Sequence, residues 1–172
     1  MELTVCFTGH RPQKLPCGFN EDHPVSLRIK SQLRRLIVGI IEKKNATKFI
    51  SGMAIGVDQW AAEIVLELKE EYPNITLEAA VPCKNQTASW NVKNKERYER
   101  LLSHCDIVTM LQEQYTADCM QKRNEYMVQK ADYIIAVWNG KASGTGNTIK
   151  YAVRQCKPVY YVDINDFKMR KI

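Results

Sequence analysis

The sequence predicts an α/β fold: a doubly wound, mostly parallel sheet held between two layers of helices. Three observations predict it. Short apolar runs rich in β-branched and aromatic residues recur along the chain. Longer stretches with helical spacing separate them. Several of the short runs show no polar alternation, the mark of strands covered on both faces, as in a parallel sheet.

The elements can be read in order. LTVCF (3–7) is the first strand, and Ile29, Leu33, Leu36, Ile37, Ile40 and Ile41 then fall on one helical stripe. KFI (48–50) is a second strand, followed by a stripe of Val57, Ala61, Ile64, Val65 and Leu68. TLEAAV (76–81), DIVTM (106–110), DYIIAVW (132–138) and PVYYVD (158–163) supply four more strands. Further helices are expected near 90–104, 117–130 and 146–156. No internal repeat and no Pro/Ser-rich or Gln/Asn-rich linker interrupts them, so one domain spanning 1–172 is expected.

Length and composition agree. The 172 residues suffice for a full hydrophobic core, and 45% hydrophobic with 26% charged residues is ordinary for a globular chain. No apolar run reaches the roughly 20 residues that cross a bilayer, and no secretory signal opens the chain. The six cysteines lack a C-x-x-C pair and read as reduced, mostly packed thiols. A cytoplasmic protein is expected, in which the N-x-T sequons at Asn45, Asn74 and Asn85 carry no meaning. The net charge of +6 admits a polyanionic partner. Most basic residues are interleaved with acids, as in KEEYPN and NKERYERL, so nucleic acid is not the favoured partner. Apolar positions on the outer helices would suit a homo-oligomer, which periodicity alone does not show.

Right-handed crossovers bring the loops after parallel strands to one edge of the sheet, where α/β folds bind ligands. Four such turns are rich in Gly or polar residues: TGHRP (8–12), SGMAIGVD (51–58), PCKNQTASW (82–90) and NGKASGTGNT (139–148). In TGHRP, Gly9 permits a close approach to an anion and Arg11 can grip a phosphate; alternatively Gly9 makes the turn, Arg11 is solvated, and His10 is a hydrogen-bonded structural residue. In SGMAIGVD, Ser51, Gly52 and Gly56 leave backbone N–H groups free near a helix start, with Asp58 a ligand contact or a partner of the helix dipole. Its glycines are four apart, which departs from the G-x-G-x-x-G dinucleotide fingerprint. Ser143, Gly144 and Thr145 precede a short helix in the manner of a phosphate cradle, although no G-K-[ST] closes the loop as in a P-loop. Trp90, with Gln86 before it, either stacks on a base or packs at a helix start. Arg123 and Asn124 lie in the helix before the fifth strand, where Arg123 could equally form a surface ion pair.

Other chemistry is unsupported. His10, His23 and His104 have no partner at metal-ligand spacing, so neither metal nor cofactor is expected. No G-x-S-x-G or spaced Ser, His and Asp set suggests acyl transfer.

These motifs together resemble one family. SGMAIGVDQWAAE, with TGHRP before it, PCKNQTASWNVKNKERYERLL after it, and RNEYMVQKAD followed by WNGKASGTGNT, is similar to the YpsA family of the SLOG superfamily. These are Rossmann-like proteins that include the DNA-processing protein DprA and the LOG phosphoribohydrolases. SGMAIGVD is similar to the S-G-x-A-x-G-[IV]-D run of DprA, and PCKNQTASW is closer to YpsA itself. The resemblance implies a three-layer Rossmann-like domain with a nucleotide-related ligand, such as ADP-ribose or an NAD-derived molecule, bound as by a sensor or regulator. Residue by residue it implies a pocket of Gly9, Arg11, Ser51, Gly52, Gly56, Asp58, Gln86, Trp90, Arg123, Asn124, Ser143, Gly144 and Thr145. One departure bears on activity. LOG proteins carry P-G-G-x-G-T-x-x-E, and Thr148 stands where that catalytic Glu would fall. A nucleotide N-glycosidase would therefore need Asp58, Glu63 or Glu125 as its carboxylate, with Asp58 and Glu125 the first candidates. A DprA-like single-stranded DNA binder is the third reading.

Overall fold

The computed structural model describes residues 2–172. Its strands are β1 (Leu3–Gly9), β2 (Ala46–Ser51), β3 (Thr76–Val81), β4 (Ile107–Met110), β5 (Tyr133–Trp138), β6 (Val159–Asp163) and β7 (Met169–Lys171). Its helices are α1 (Pro24–Lys44), α2 (Val57–Leu68), α3 (Val92–His104), α4 (Cys119–Lys130) and α5 (Gly144–Arg154), with a 3-10 turn at Pro12–Lys14. The strands form one seven-stranded sheet in the order β4-β3-β2-β1-β5-β6-β7, parallel except for β7. The chain winds outward from β1 to β4, crosses back through α4, and resumes beside β1 with β5. The switch point of this Rossmann-like sheet is therefore the gap between β1 and β5.

Strand alternation sends side chains to two cores. Val5, Phe7, Phe49, Leu77, Ala79, Ile135 and Val137 join α1, α2 and α3 on one face. Cys6, Ile50, Ala80, Ile134 and Ala136 join α4 and α5 on the other. This double burial is why β1 and β5 read as unbroken apolar runs. In the larger core the Phe7 and Phe49 rings stack 5.9 Å apart.

Local signals set the helix ends. α1 begins at Pro24, whose missing N–H suits a first helical position, and His23 Nδ1 accepts the Val25 N–H at 3.1 Å. It ends at Asn45 in the left-handed conformation, φ 58°. α5 is capped by Ser143, whose Oγ accepts the Gly146 N–H at 3.0 Å.

Two findings depart from the sequence reading. The basic tail KMRKI forms β7, antiparallel to β6, with Arg170 paired to Asp163 and Asp166 and Lys171 over the Tyr160 ring. Three residues with no apolar alternation carry no strand signal, and the pairing comes from tertiary contacts. β4, although apolar at three of its four positions, is an edge strand whose Ile107, Val108 and Met110 are each nearly half exposed. A short apolar run does not by itself say how many neighbours a strand has. All six cysteines are free thiols; four are buried, Cys105 is partly buried and Cys156 is exposed. Among the described residues no helix is long and apolar enough to cross a membrane, and no group of ligating side chains could hold a metal ion.

Candidate functional site

A crevice of about 330 Å³ opens at the switch point. Its walls come from Thr8 to Arg11 after β1, Ala54 and Asp58 at the start of α2, and Met120, Arg123 and Asn124 on α4. Gln13, Lys14 and the Ser143–Thr145 start of α5 complete it. Because α4 runs antiparallel to the strands, its N-terminal half reaches the same sheet edge as the N-termini of α2 and α5.

Close packing builds the floor. A Cβ on Gly9 would stand 2.5 Å from Val57 Cβ, so the missing side chain lets α2 start directly against the end of β1. Gly56 has φ +103°, and a Cβ there would lie 2.9 Å from the His10 carbonyl oxygen. The SGMAIGVD turn thus supports the TGHRP turn through backbone contact. Met53 takes the left-handed conformation, φ 56°, fully buried. It is held there because its N–H donates to Ser51 Oγ at 3.2 Å and its carbonyl accepts from Gln59 Nε2 at 3.2 Å. Ser51 Oγ in turn donates to the Asp58 carbonyl at 2.8 Å, tying the first turn of α2 to the end of β2.

Arg123 is a wall residue and forms no surface ion pair among the described residues. It is 3% exposed, and its Nη1 donates to the Gly52 carbonyl while Nε donates to Asn124 Oδ1 at 2.8 Å. A Cβ on Gly52 would lie 2.5 Å from the Arg123 Cζ, so only glycine leaves room for the guanidinium. Gln86 secures the same carbonyl, with Nε2 donating to Gly52 O at 3.3 Å and Oε1 accepting from the Tyr98 hydroxyl at 3.2 Å.

The electrostatics are one-sided. Arg11, Lys14 and Arg123 line the crevice against one carboxylate, Asp58. Among the described residues none of the three cations forms a salt bridge. Burial pushes the Asp58 carboxyl above its ordinary range, opposed by Arg123, a hydrogen bond from the Ala54 backbone, and Arg11. Burial also pulls the Arg123 guanidinium below its ordinary value, with Asp58 opposing and Arg11 reinforcing. A guanidinium stays charged even so. At the start of α5, helix geometry leaves the Gly144 and Thr145 N–H groups without intrahelical partners, and the helix dipole adds positive potential. A larger hollow of about 650 Å³ lies beyond Pro12, but its charges are balanced, with Arg97 held by Glu21 and Glu63.

The structure therefore brings together eight of the expected residues: Gly9, Arg11, Asp58, Arg123, Asn124, Ser143, Gly144 and Thr145. Ser51, Gly52, Gly56 and Gln86 stand behind the wall and shape it. The Ser143 hydroxyl is engaged as the α5 cap, so Ser143 offers position more than a free donor. Trp90 does not line the crevice; its ring packs edge-on against Tyr98, 5.5 Å between centroids, at the margin of the larger core. Glu125 faces a different surface, beside Gln121 and α5. Sequence reasoning passed over Thr8, Gln13, Lys14, Ala54 and Met120, and left His10 undecided. Thr8 and the residues after Arg11 continue a turn already singled out, whereas Met120 has no signal of its own.

With the geometry in hand, the chain can be placed among known proteins. The YpsA family model, the YspA SLOG family, matches residues 5–170. The chain belongs to the YpsA family. A UPF0398 protein of Bacillus pumilus is 30% identical over 171 residues, covering 95% of this chain and 89% of the relative. The SPbeta prophage-derived protein YoqJ of Bacillus subtilis is 35% identical over 142 residues, covering 76% of this chain and 83% of the relative. Among solved structures, DNA processing protein A from Helicobacter pylori, described for its single-stranded DNA binding mode, aligns with a TM-score of 0.58. The identity is 18%, over 95% of this chain and 70% of that one. At that identity the likeness shows the shared fold. In this YpsA-family chain Thr148, at the LOG glutamate position, is 1% exposed, and its Oγ1 donates to the Gly144 carbonyl at 3.0 Å. Its hydroxyl is spent within the first turn of α5, and it takes no place in the crevice wall.

Proposed function

We propose that the crevice binds a small phosphate-bearing, nucleotide-derived ligand and that the chain acts as a sensor or regulator. The observation that carries this reading is a set of three cations, none in a salt bridge among the described residues, around a switch-point crevice that also holds a helix N-terminus. The Gly144 and Thr145 N–H groups, with Arg11 and Lys14, receive phosphate oxygens; Asp58 accepts from a ligand hydroxyl. At about 330 Å³ the crevice lies at the small end of ligand sites, which run from about 300 to 1,000 Å³. That size favours a mononucleotide, or one end of ADP-ribose or NAD, over a fully enclosed dinucleotide.

The enzymatic alternative is less well equipped. Asp58 is the one carboxylate in the wall, and it shares the crevice with two arginines, so an N-glycosidase would have to use it as both stabiliser and base. Single-stranded DNA is a second reading, favoured by the DNA-binding neighbour and the positive crevice. A panel of AMP, ADP-ribose, NAD and an oligonucleotide in thermal-shift measurements separates these readings. Ligands that bind the native state raise Tm by mass action, and phosphate binders should do so at millimolar concentration. No stabilisation by any nucleotide overturns the proposal. Stabilisation by the oligonucleotide alone, steeply weakened by salt, would favour the DNA reading.

A further inference from the structure

His10 stands in the crevice wall directly after β1 and is 2% exposed. Its Nε2 accepts the backbone N–H of Asn139, at the head of the 139–143 loop that leads into α5, at 3.2 Å. An amide N–H can only donate, so Nε2 must be unprotonated, and a neutral imidazole then carries its proton on Nδ1. Among the described residues Nδ1 has no hydrogen-bond partner. Burial holds the ring below its ordinary pKa, with Lys14 acting in the same direction and the Asn139 side chain opposing. The contact between His10 and Asn139 that has hydrogen-bond geometry is the one from the backbone N–H, and it sets the tautomer.

We propose that His10 is a neutral donor, through Nδ1–H, to a phosphate oxygen of the crevice ligand, and that its Nε2 ties this contact to the 139–143 loop. The inference rests on the crevice being the ligand site. Beside the fixed cations Arg11, Lys14 and Arg123, a donor that adds no charge distinguishes ligands by where an oxygen is placed, not by how much charge they carry. It also links the phosphate to the loop that sets the position of the Gly144 and Thr145 amides.

Long-range ¹H–¹⁵N spectra of the full chain test this, because the protein has three histidines. At pH 7.5 His10 should show the Nδ1–H tautomer, opposite to His23, whose Nδ1 accepts the Val25 N–H. Addition of AMP should move the His10 Nδ1 resonance. His10→Asn, which keeps a donor near Nδ1, should bind AMP within about twofold of the wild type. His10→Gln, which keeps a partner for the Asn139 N–H, should weaken AMP roughly five- to tenfold, the loss of one hydrogen bond. An Nε2–H or doubly protonated ring in the free protein overturns the proposal even if neither variant folds. AMP shifts at residues 143–146 without a His10 response, with both variants binding normally, overturn it while the ligand reading stands. Silence of the whole crevice to AMP, ADP-ribose and NAD overturns the ligand reading and the His10 contact together.

Discussion

A single methyl group separates glycine from alanine at position 52, and the packing behind the crevice wall has no room for it. Gly52→Ala puts a Cβ 2.5 Å from the Arg123 Cζ, so the buried guanidinium must leave the carbonyl it holds. Displacing a buried charged donor from its partner costs about 1–3 kcal/mol. For a chain of this length each kcal/mol lowers Tm by roughly 2–4 °C, which a melting curve of the variant would detect. Asp58→Asn separates charge from hydrogen bonding. Removing the carboxylate should tighten inorganic phosphate, because a like charge is gone, yet weaken AMP about tenfold or more through the lost charge-assisted hydrogen bond. Titration calorimetry with both ligands reads the two effects, and equal changes would mean that Asp58 touches no hydroxyl. His10 makes stability depend on pH. Its folded pKa lies below the ordinary 6.5, so the unfolded chain binds more protons between the folded value and about 6.5. Stability from His10 is complete above that window and lost as pH falls through it. His10→Gln should flatten that part of the stability profile in denaturant titrations.

At the scale of elements, α5 is the most exposed to test. Ser143→Ala removes the cap on Gly146 and should cost about 1 kcal/mol, while loosening the amides assigned to phosphate. A fall in Tm with unchanged AMP affinity would separate the cap from the site. The elements themselves were largely legible because burial writes them into the sequence: β1 and β5, covered on both faces, read as unbroken apolar runs, and α1 and α2 show a 3.6-residue stripe. What escaped was written in tertiary contacts. β7 forms because β6 offers an edge and Asp163 and Asp166 await Arg170, none of which shows in KMRKI. The exposure of β4 depends on its place in the strand order, which its own residues do not encode. At the site, the post-strand rule located Gly9, Arg11 and Ser143–Thr145 because loop position follows from topology. The same rule could not say which polar side chains face inward: Gln86 turns to a carbonyl behind the wall, Trp90 to Tyr98, and Glu125 to the far side of α4.

For the molecule as a whole, one topological fact does most to shape the crevice. The sheet reverses its winding between β1 and β5, so the starts of α2 and α5 and the first turns of α4 meet over the same gap. Two inner-face cores fix those helices, and the crevice inherits its shape from them. Membership of the YpsA family and the fold shared with a DNA-processing protein agree with this architecture. The most direct test of the central claim is an amide ¹H–¹⁵N titration of the ¹⁵N-labelled full chain with AMP. A ligand held in the crevice should give saturable shifts concentrated at Thr8–Arg11, Ala54 and Ser143–Gly146, with smaller changes on α4 near Arg123. Saturable shifts confined to other surfaces, or none at millimolar AMP, ADP-ribose or NAD, would contradict that claim.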